Sequence, residues 1–371
     1  MRKFNGKKAG IICGVALASF TSYALLDTFV IPHPMQTVSG QNLEANGISL
    51  NEDESTEVQN AYADGENQDQ NYYADGKNQE QNTFSQENTS SDGFAQNNEN
   101  TENIDNSDEN SSNQSFGSSS GTSRSASGTV IGTYSDSESK ITLTQYRAYN
   151  SNIYVADVEV TEGTSILSAF ANNTYGRNIT DTTSNMAEEN NAVLAINGDY
   201  YGARQSGYVI RNGVVYRNQG NNGEDMVISK DGTLSFISES ETSTDSLIQN
   251  QAWQVLSFGP VLVENGQVAV SENDEVGMAM ASNPRTAIGT VAKNHYLFVV
   301  SDGRTSESAG LSLYELANFM KSLGATNVYN LDGGGSSTMV FQGEVVNNPT
   351  TNGNKISERA VSDILYIGKN S

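Results

Sequence analysis

The chain has 371 residues and a formal net charge of −24, from 44 acidic and 20 basic side chains. So negative a balance argues against binding to nucleic acid or to an anionic membrane surface. Its only histidines are His33 and His295 and its only cysteine is Cys13, which argues against a histidine-based zinc site and excludes a disulfide within the chain.

Residues 1–39 are predicted to be a cytoplasmic basic tip and a signal-anchor helix. Four basic residues among the first eight precede an uncharged, largely apolar run over 9–26. This order predicts a single transmembrane helix with the rest of the chain outside the cell. A cleaved signal peptide is the alternative, because Ser22-Tyr23-Ala24 would suit a signal peptidase. The apolar character continues to Ile31, which favours a retained anchor.

Residues 40–128 are predicted to be a disordered linker. Asn, Gln, Ser, Gly and acidic residues dominate this stretch, which carries 17 acids against Lys77 and Arg124. It has too little apolar surface to offset the entropy lost on ordering. As a flexible coil it would reach on the order of 50 Å, so we expect a spacer between the membrane and a folded domain.

Residues 129–371 are predicted to form one α+β domain with a mixed, largely antiparallel sheet and few helices. Runs of apolar and β-branched residues predict strands over 129–134, 140–149, 152–160, 192–196, 287–290, 295–301, 327–331 and 359–367. Turn dipeptides between alternating segments predict three hairpins, at Asn212-Gly213, Asp231-Gly232 and Asn265-Gly266.

Two helices are predicted between these strands. A short polar segment over 181–190 is the first. The second begins with Ser312 and Glu315 in the pattern of a capping box, continues with apolar residues on one face, and ends before Gly324.

A glycine-rich loop follows the strand over 327–331 and is the first candidate for a functional site. Asp332 precedes Gly333, Gly334 and Gly335, and Ser336 and Ser337 follow them. Without side chains in the way, backbone N–H groups of such a loop can approach a phosphate or an oxyanion. A tight turn capped by Asp332 is the structural alternative.

Carboxylates and arginines recur where other predicted strands end. The sequence has no P-loop, and its glycine-rich loop lacks the pattern of a nucleophile elbow, so carboxylate, arginine and hydroxyl chemistry remains, which suits a substrate that is both sugar and phosphate. Each group also has a structural interpretation, such as a turn at Asp302, a cap at Asp199 or a pair between Glu358 and Arg359. Their shared position at strand ends favours one site.

The order of these blocks resembles the phosphodiester glycosidase family, which includes the lysosomal uncovering enzyme and bacterial members of the exopolysaccharide-biosynthesis type. The resemblance covers roughly 166–367 and rests on the blocks Asn197-Gly198-Asp199-Tyr200-Tyr201, Asn283-Pro284-Arg285-Thr286-Ala287-Ile288-Gly289, Ser301-Asp302-Gly303-Arg304, the loop over 330–338, Asn348-Pro349 and Glu358-Arg359. It implies cleavage of a sugar from a sugar-1-phosphodiester, which leaves a phosphomonoester.

The resemblance and the chemistry together nominate two sets of residues. The candidate catalytic carboxylates are Asp332, Asp302 and Asp199. The candidate substrate-binding residues are Asn197, Arg285, Thr286, Arg304, Gly333, Gly334, Gly335, Ser336, Ser337, Glu358 and Arg359. No cofactor is expected, no metal ligand is assigned, and a bound divalent cation stays open.

The sequence therefore predicts a bacterial, Gram-positive, single-pass membrane hydrolase with its catalytic domain outside the cell. Its expected substrate is a glycosyl-1-phosphodiester, with N-acetylglucosamine as the candidate sugar, in a cell-envelope or extracellular polysaccharide. The expected partners are this sugar-phosphate or polysaccharide and the membrane, with no nucleic acid. The alternatives are a non-catalytic glycan-binding module and a surface-polysaccharide assembly protein that retains the pocket.

Overall fold

The structure, a computed structural model, describes residues 17–27, 30–37, 128–274 and 282–369. The predicted linker lies outside the described residues except for Gly128, and so does the first part of the predicted anchor. The boundaries proposed for these two segments stay predictions.

Antiparallel strands are the main secondary structure of the described chain. In chain order they are β1 (His33–Thr37), β2 (Gly128–Ser135), β3 (Ser139–Ala148), β4 (Ser151–Val160), β5 (Leu167–Phe170), β6 (Thr174–Arg177), β7 (Ala192–Asn197), β8 (Val209–Arg211), β9 (Val214–Arg217), β10 (Glu224–Ser229), β11 (Leu234–Ser238), β12 (Ala252–Leu256), β13 (Val261–Glu264), β14 (Gln267–Val268), β15 (Arg285–Ala292), β16 (His295–Ser301), β17 (Asn327–Asn330), β18 (Met339–Phe341), β19 (Glu344–Val345) and β20 (Asp363–Gly368). The described helices are α1 (17–27), α2 (Thr183–Glu189), α3 (Thr244–Gln249) and α4 (Leu313–Ser322). The predicted class, mostly antiparallel sheet with few helices, is confirmed.

These strands form four sheets. The largest has the order β14-β13-β17-β15-β16-β4-β3-β2, and two five-stranded sheets have the orders β19-β18-β7-β20-β5 and β11-β10-β12-β8-β9. The fourth is a two-stranded ribbon of β1 and β6. Strand β17 of the largest sheet leads into the glycine-rich loop, and β18 of the second sheet follows it, so the loop bridges two layers.

The main core lies between the eight-stranded sheet and the sheet that contains β7. Along β16, Phe298 and Val300 belong to this core, whereas Leu297 and Val299 belong to a second cluster with α4. This alternation follows from the two-residue period of a strand buried on both faces. Helix α2 packs on the outer face of the β7 sheet. The strands that carry the loop are therefore held from both sides.

Several local predictions are confirmed, and one boundary is wrong. The three predicted hairpins are β8–β9, β10–β11 and β13–β14. Helix α4 has the capping box of Ser312 and Glu315 and ends before Gly324, whose φ is +93°. The closing strand begins at Asp363 instead of residue 359, because Arg359 turns its side chain toward Ser336 and Val361 makes only an isolated bridge to Asp181.

The described part of the N-terminal region contains a helix and a strand. No helix among the described residues is both long enough and apolar enough to cross a membrane. Strand β1, which falls inside the predicted anchor region, pairs with β6. Its five residues, with Pro34 among them, have no strand-like alternation that could have indicated this pairing.

A buried carboxyl on β10 gives the fold a specific pH dependence. Asp225 is fully buried, and burial together with the carboxylate of Glu239 raises its pKa from 3.8 to about 9. The folded chain thus holds a proton that the unfolded chain releases, and the stability of the fold decreases as the pH rises from about 4 to about 9.

Replacing Asp225 with asparagine should remove this dependence. We expect Asp225→Asn to have a higher free energy of unfolding than the wild type at pH 8, and the difference should shrink toward pH 4. The steepest change should be about 1.4 kcal/mol per pH unit. Urea denaturation at a series of pH values measures it, with the exposed Glu241→Gln as the matched control. A difference that does not change with pH would contradict the assignment.

Candidate functional site

The glycine-rich loop is a tight turn that only small residues can form. Gly334 has a φ of +63°, a left-handed conformation that favours glycine. A Cβ atom on Gly333 would lie 2.9 Å from the carbonyl oxygen of Pro284, and one on Gly335 would lie 2.5 Å from Oγ1 of Thr351. The glycines are therefore required by close packing on both sides of the loop.

Part of the predicted N–H cradle is used by the turn itself. The N–H of Gly334 donates to the carbonyl of Pro284 at 2.8 Å, and the N–H groups of Ser336 and Ser337 donate back into the loop. Within the described residues, the N–H groups of Gly333 and Gly335 have no acceptor. These two donors are the ones that an anion could use.

Asp332, Ser336 and Arg359 form a connected cluster at this loop. The hydroxyl of Ser336 donates to Oδ2 of Asp332 at 2.6 Å and accepts from Nη2 of Arg359 at 2.6 Å. Nη2 of Arg359 also lies 3.2 Å from Oδ2 of Asp332. Burial raises the pKa of Asp332, although the charge of Arg359 and the bond from Ser336 act against this rise. Only 13% of the Asp332 side chain is exposed.

Arg304 lies on the other side of Gly334. Its Nε and Nη2 atoms donate to Oδ1 of Asn283 at 3.1 and 2.8 Å, and its Nη1 donates to the carbonyl of Thr351. A Cβ atom on Gly334 would lie 3.0 Å from Nη2. Arg304 also lines an open cavity of about 560 Å³, together with Ser282, Ala309, Thr351 and Asn352. A ligand in this cavity would contact a guanidinium that is already oriented.

The charges around the loop favour an anion. Burial lowers the pKa of Arg304, and the nearby guanidinium of Arg359 lowers it further. Arg359 thus contacts the carboxylate of Asp332, whose own pKa is raised by burial, and is close enough to Arg304 to lower the pKa of Arg304. A phosphate would relieve the repulsion between the two arginines and accept charge-assisted hydrogen bonds from both.

Asn197, at the end of β7, ties the two ends of the loop together. Its Nδ2 donates to the carbonyl of Asp332 at 2.6 Å, and its Oδ1 accepts from the N–H of Thr338 at 3.3 Å. The hydroxyl of Thr286 holds the same Oδ1 at 2.8 Å. Because Asn197 and Thr286 are buried and Asp332 is half-buried, we infer that Asn197 and Thr286 position the loop and do not bind substrate.

Comparison with known proteins connects this geometry to a family. Residues 190–368 match the family model for phosphodiester glycosidase. Over these residues the chain is similar to the phosphodiester glycosidase family.

Two curated relatives and one solved structure show how far the likeness extends. The SPbeta prophage-derived protein YomE of Bacillus subtilis is 31% identical over 201 residues, which are 52% of this chain and 30% of YomE. Human N-acetylglucosamine-1-phosphodiester alpha-N-acetylglucosaminidase is 33% identical over 137 residues, which are 33% of this chain and 26% of the human protein. The chain therefore spans less than a third of the length of either relative.

The solved structure is the catalytic domain of zebrafish N-acetylglucosamine-1-phosphodiester alpha-N-acetylglucosaminidase. It superposes with a TM-score of 0.51 at 24% sequence identity, over 66% of this chain and 88% of the zebrafish one. At this identity the likeness establishes the fold of the phosphodiester glycosidase domain and nothing more.

Within the matched residues, Asp199 stands apart from the loop cluster. Its Oδ2 lies 2.9 Å from Nη2 of the buried Arg211 and accepts from the N–H of Ser257 at 3.0 Å. Its Oδ1 accepts from the N–H of Tyr201 at 3.0 Å. Both carboxylate oxygens are thus engaged in the interior, and the placement favours a structural role over the predicted catalytic one.

Asp302 is also buried, and it organises a neighbouring segment. Its Oδ1 accepts from the N–H of Asn348 at 2.7 Å, and its Oδ2 lies 3.5 Å from the hydroxyl of Tyr154. Burial raises its pKa, although hydrogen bonds from Asn348 and Asn347 act against the rise. Within the described part of the chain it makes no hydrogen bond or ion pair with Asp332 or Arg359. Of the three candidate carboxylates, only Asp332 joins the cluster.

Three predicted binding residues contact the protein instead of the open loop face. Glu358 accepts from the N–H of Ser184 at 3.0 Å and so caps the first turn of α2. Arg285 is 3% exposed, and its Nε donates to the carbonyl of Leu311 at 2.8 Å. Ser337 is fully buried behind the loop. These three residues are therefore engaged with α2, with Leu311 and with the interior of the domain.

Residues that the sequence did not single out complete the site. Asn283 orients Arg304, and Thr351 packs against Gly335 and accepts from Arg304. Asn283 is the first residue of the quoted block over 283–289, although it was not nominated as a site residue. Thr351 lies in a polar stretch with no pattern of its own. Among the described residues, no group of three or more His, Cys, Asp and Glu side chains could hold a metal ion.

Proposed function

We propose that this chain hydrolyses glycosyl-1-phosphodiesters, releasing the sugar and leaving a phosphomonoester. The observation that carries the proposal is the pair of guanidiniums, Arg304 and Arg359, on either side of a glycine-rich turn that also holds a buried carboxyl, Asp332. The curated relative that acts on N-acetylglucosamine-1-phosphodiesters supports the same substrate class, with N-acetylglucosamine as the candidate sugar.

In this proposal the arginines bind the two non-bridging oxygens of the phosphodiester, which share its single negative charge. The N–H groups of Gly333 and Gly335 provide two further donors at the same place. As the bond between the anomeric carbon and the phosphate oxygen breaks, its electron pair stays on that oxygen. Guanidinium groups fixed by Asn283 and Ser336 stabilise this charge without having to reorganise.

Asp332 would act as the general base. The departing phosphomonoester is stabilised as an anion by the arginines, so the step that needs help is removal of a proton from the attacking water. The water oxygen bonds to the anomeric carbon, and its proton goes to the carboxylate of Asp332. A carboxylate whose pKa is raised by burial is a stronger base than an exposed one, and it still ionises with Arg359 beside it.

Full-length chain and a soluble model substrate test the proposal. N-acetylglucosamine 1-(methyl phosphate) should be converted to N-acetylglucosamine and methyl phosphate, and a reducing-sugar assay follows the reaction. Binding of this compound without turnover would instead identify a non-catalytic glycan-binding module. Absence of both would contradict the proposed site.

We expect Arg359→Lys to weaken substrate binding strongly. Lysine keeps the charge but cannot contact Ser336, Gly333 and a phosphate with one planar fork. Loss of a charge-assisted bond of about 1.5–3 kcal/mol corresponds to a ~10- to 100-fold lower kcat/KM, mainly through KM. The exposed Arg147→Lys is the matched control and should leave both constants unchanged. Equal kinetics for the two variants would remove Arg359 from the phosphate site.

For the cellular setting we propose an extracytoplasmic enzyme of the bacterial cell envelope that is held to the membrane by its N-terminus and acts on envelope polysaccharide. The basic first eight residues and the uncharged run over 9–26 support this location. Protease treatment of intact cells should then remove the domain from a chain that stays in the membrane fraction. Recovery of the whole chain in the medium would contradict retention.

A further inference from the structure

Strand β1 makes the N-terminal segment part of the folded domain. Its Cα partners on β6 are His33 with Arg177, Pro34 with Gly176, Gln36 with Tyr175 and Thr37 with Thr174. The contact is close, because a Cβ atom on Gly176 would lie 2.3 Å from the carbonyl oxygen of His33. Thr37 of β1 and Gly128 of β2 therefore both belong to paired strands of the domain.

The end of α1 is also fastened to the domain. The Nδ2 of Asn178 donates to the carbonyl oxygens of Ile31 at 3.0 Å and of Asp27 at 3.4 Å. His33 folds back so that its Nε2 lies 2.9 Å from the carbonyl oxygen of Asp27. Only five residues separate the last residue of α1 from the first residue of β1. The helix thus ends at the surface of the domain.

The surface around this attachment is apolar and uncovered. Eight of the fifteen exposed large hydrophobic side chains in the described residues lie between 17 and 35. They include Leu17, Phe20 and Val30, which are 68%, 70% and 61% exposed. An apolar helix whose large side chains are exposed among the described residues, preceded in sequence by basic residues and an uncharged run, fits a lipid bilayer as its occupant.

A short path leads from this attachment to the catalytic cluster. Asn178, which contacts the end of α1, is three residues from Asp181, and Asp181 bridges Val361. Val361 is two residues from Arg359. Even with fully extended backbone, these steps amount to on the order of 20 Å. The end of α1 and the site therefore lie on the same part of the domain.

We propose that the site works at the membrane surface, on a glycosyl-1-phosphodiester whose second ester is carried by a membrane lipid. The pairing of β1 with β6 holds the site within reach of the lipid headgroups. This inference rests on the proposed function, since it names the class of substrate that the same site takes.

The experiment compares two substrates that contain the same sugar phosphate and differ only in the second ester. Full-length chain is reconstituted in phosphatidylcholine–phosphatidylglycerol vesicles with N-acetylglucosamine 1-(hexadecyl phosphate), and separately with the soluble methyl ester. Gly176→Val places a methyl group against the carbonyl of His33 and should displace β1. We expect it to leave turnover of the soluble ester within ~2-fold and to lower turnover of the lipid ester by ~10-fold or more, because the effective concentration at the surface is lost.

Two further variants keep the result interpretable. Asn178→Ala removes the contacts to Asp27 and Ile31 and should act in the same direction if Gly176→Val does not fold. In the second variant Thr37→Cys and Thr174→Cys are combined, and Cys13→Ser removes the native cysteine. The two new cysteines should form a disulfide on oxidation, because residues 37 and 174 face each other, and turnover of the lipid ester should be preserved. Normal turnover of the lipid ester by the displaced variants overturns the inference. A wild-type chain that hydrolyses neither ester overturns the proposed function itself.

Discussion

Asp332→Asn should lower kcat for the soluble glycosyl-1-phosphodiester by ~10²-fold or more while the chain keeps its fold. The amide cannot accept a proton from water, so general-base catalysis is lost. Its oxygen can still accept the hydrogen bond from Ser336, and the side chain keeps its size. We therefore expect a stability loss of about 1 kcal/mol or less. Kinetics and thermal melting measured on the same samples separate the two effects.

Asp302→Asn is the matched control for this prediction. It changes another buried carboxylate with a raised pKa, but one whose partners are Asn347, Asn348 and Tyr154. An amide nitrogen there would face donors, so stability should decrease, and kcat should change less than in Asp332→Asn. The opposite pattern, with near-normal kcat in Asp332→Asn and a ~10²-fold loss in Asp302→Asn, would move the base to Asp302.

The pH profile of kcat/KM provides a second measurement on the same variant. Burial raises the pKa of Asp332 above the ordinary carboxyl value. A base must be deprotonated, so kcat/KM should decrease as the pH falls through that raised pKa, and the residual activity of Asp332→Asn should lack this acidic limb. Retention of the limb in the variant would assign it to another group.

The parts of the fold that the sequence predicted are those with local signals. Strand β16 agrees residue for residue with the predicted 295–301, because apolar residues on both faces end at turn residues. The three hairpins are read from Asn-Gly and Asp-Gly pairs, and α4 from its cap and apolar face. In each case the interactions that decide the structure lie within about ten residues of one another.

The sequence indicated the residues at the centre of the candidate site but not the residues around them. Asp332, Arg304, Arg359 and the loop were identified because they stand at strand ends and in quoted blocks. The role of Asp199 was not predictable, since its companion Asp363 lies 164 positions later in the chain and no local pattern joins them. Long-range pairing also explains why β1 was missed: its partner strand begins at Thr174.

The buried triad of Arg211, Asp199 and Asp363 contacts the backbone that holds Asp332, so it connects the stability of the domain interior to the site. Nη2 of Arg211 lies 2.9 Å from Asp199 and 2.8 Å from Asp363, and Nε donates to Asp363 at 2.9 Å. A Cβ atom on Gly198 would lie 2.4 Å from Oδ1 of Asp363, so the triad packs against the backbone at Gly198. The carbonyl of Gly198 in turn accepts from the N–H of Asp332 at 3.4 Å.

Arg211→Met should destabilise the domain by about 3–5 kcal/mol, because two buried carboxylates lose their shared cation while the apolar volume is kept. Urea denaturation measures the loss, and the exposed Arg147→Met, expected within ±0.5 kcal/mol, is the control. Adding Asp199→Asn and Asp363→Asn to Arg211→Met removes the stranded charges and should recover part of the stability. Because the triad reaches Asp332 through Gly198, any Arg211→Met chain that still folds should also have a lower kcat. A loss below about 1 kcal/mol for Arg211→Met would mean that the two carboxyls do not depend on Arg211 for their burial.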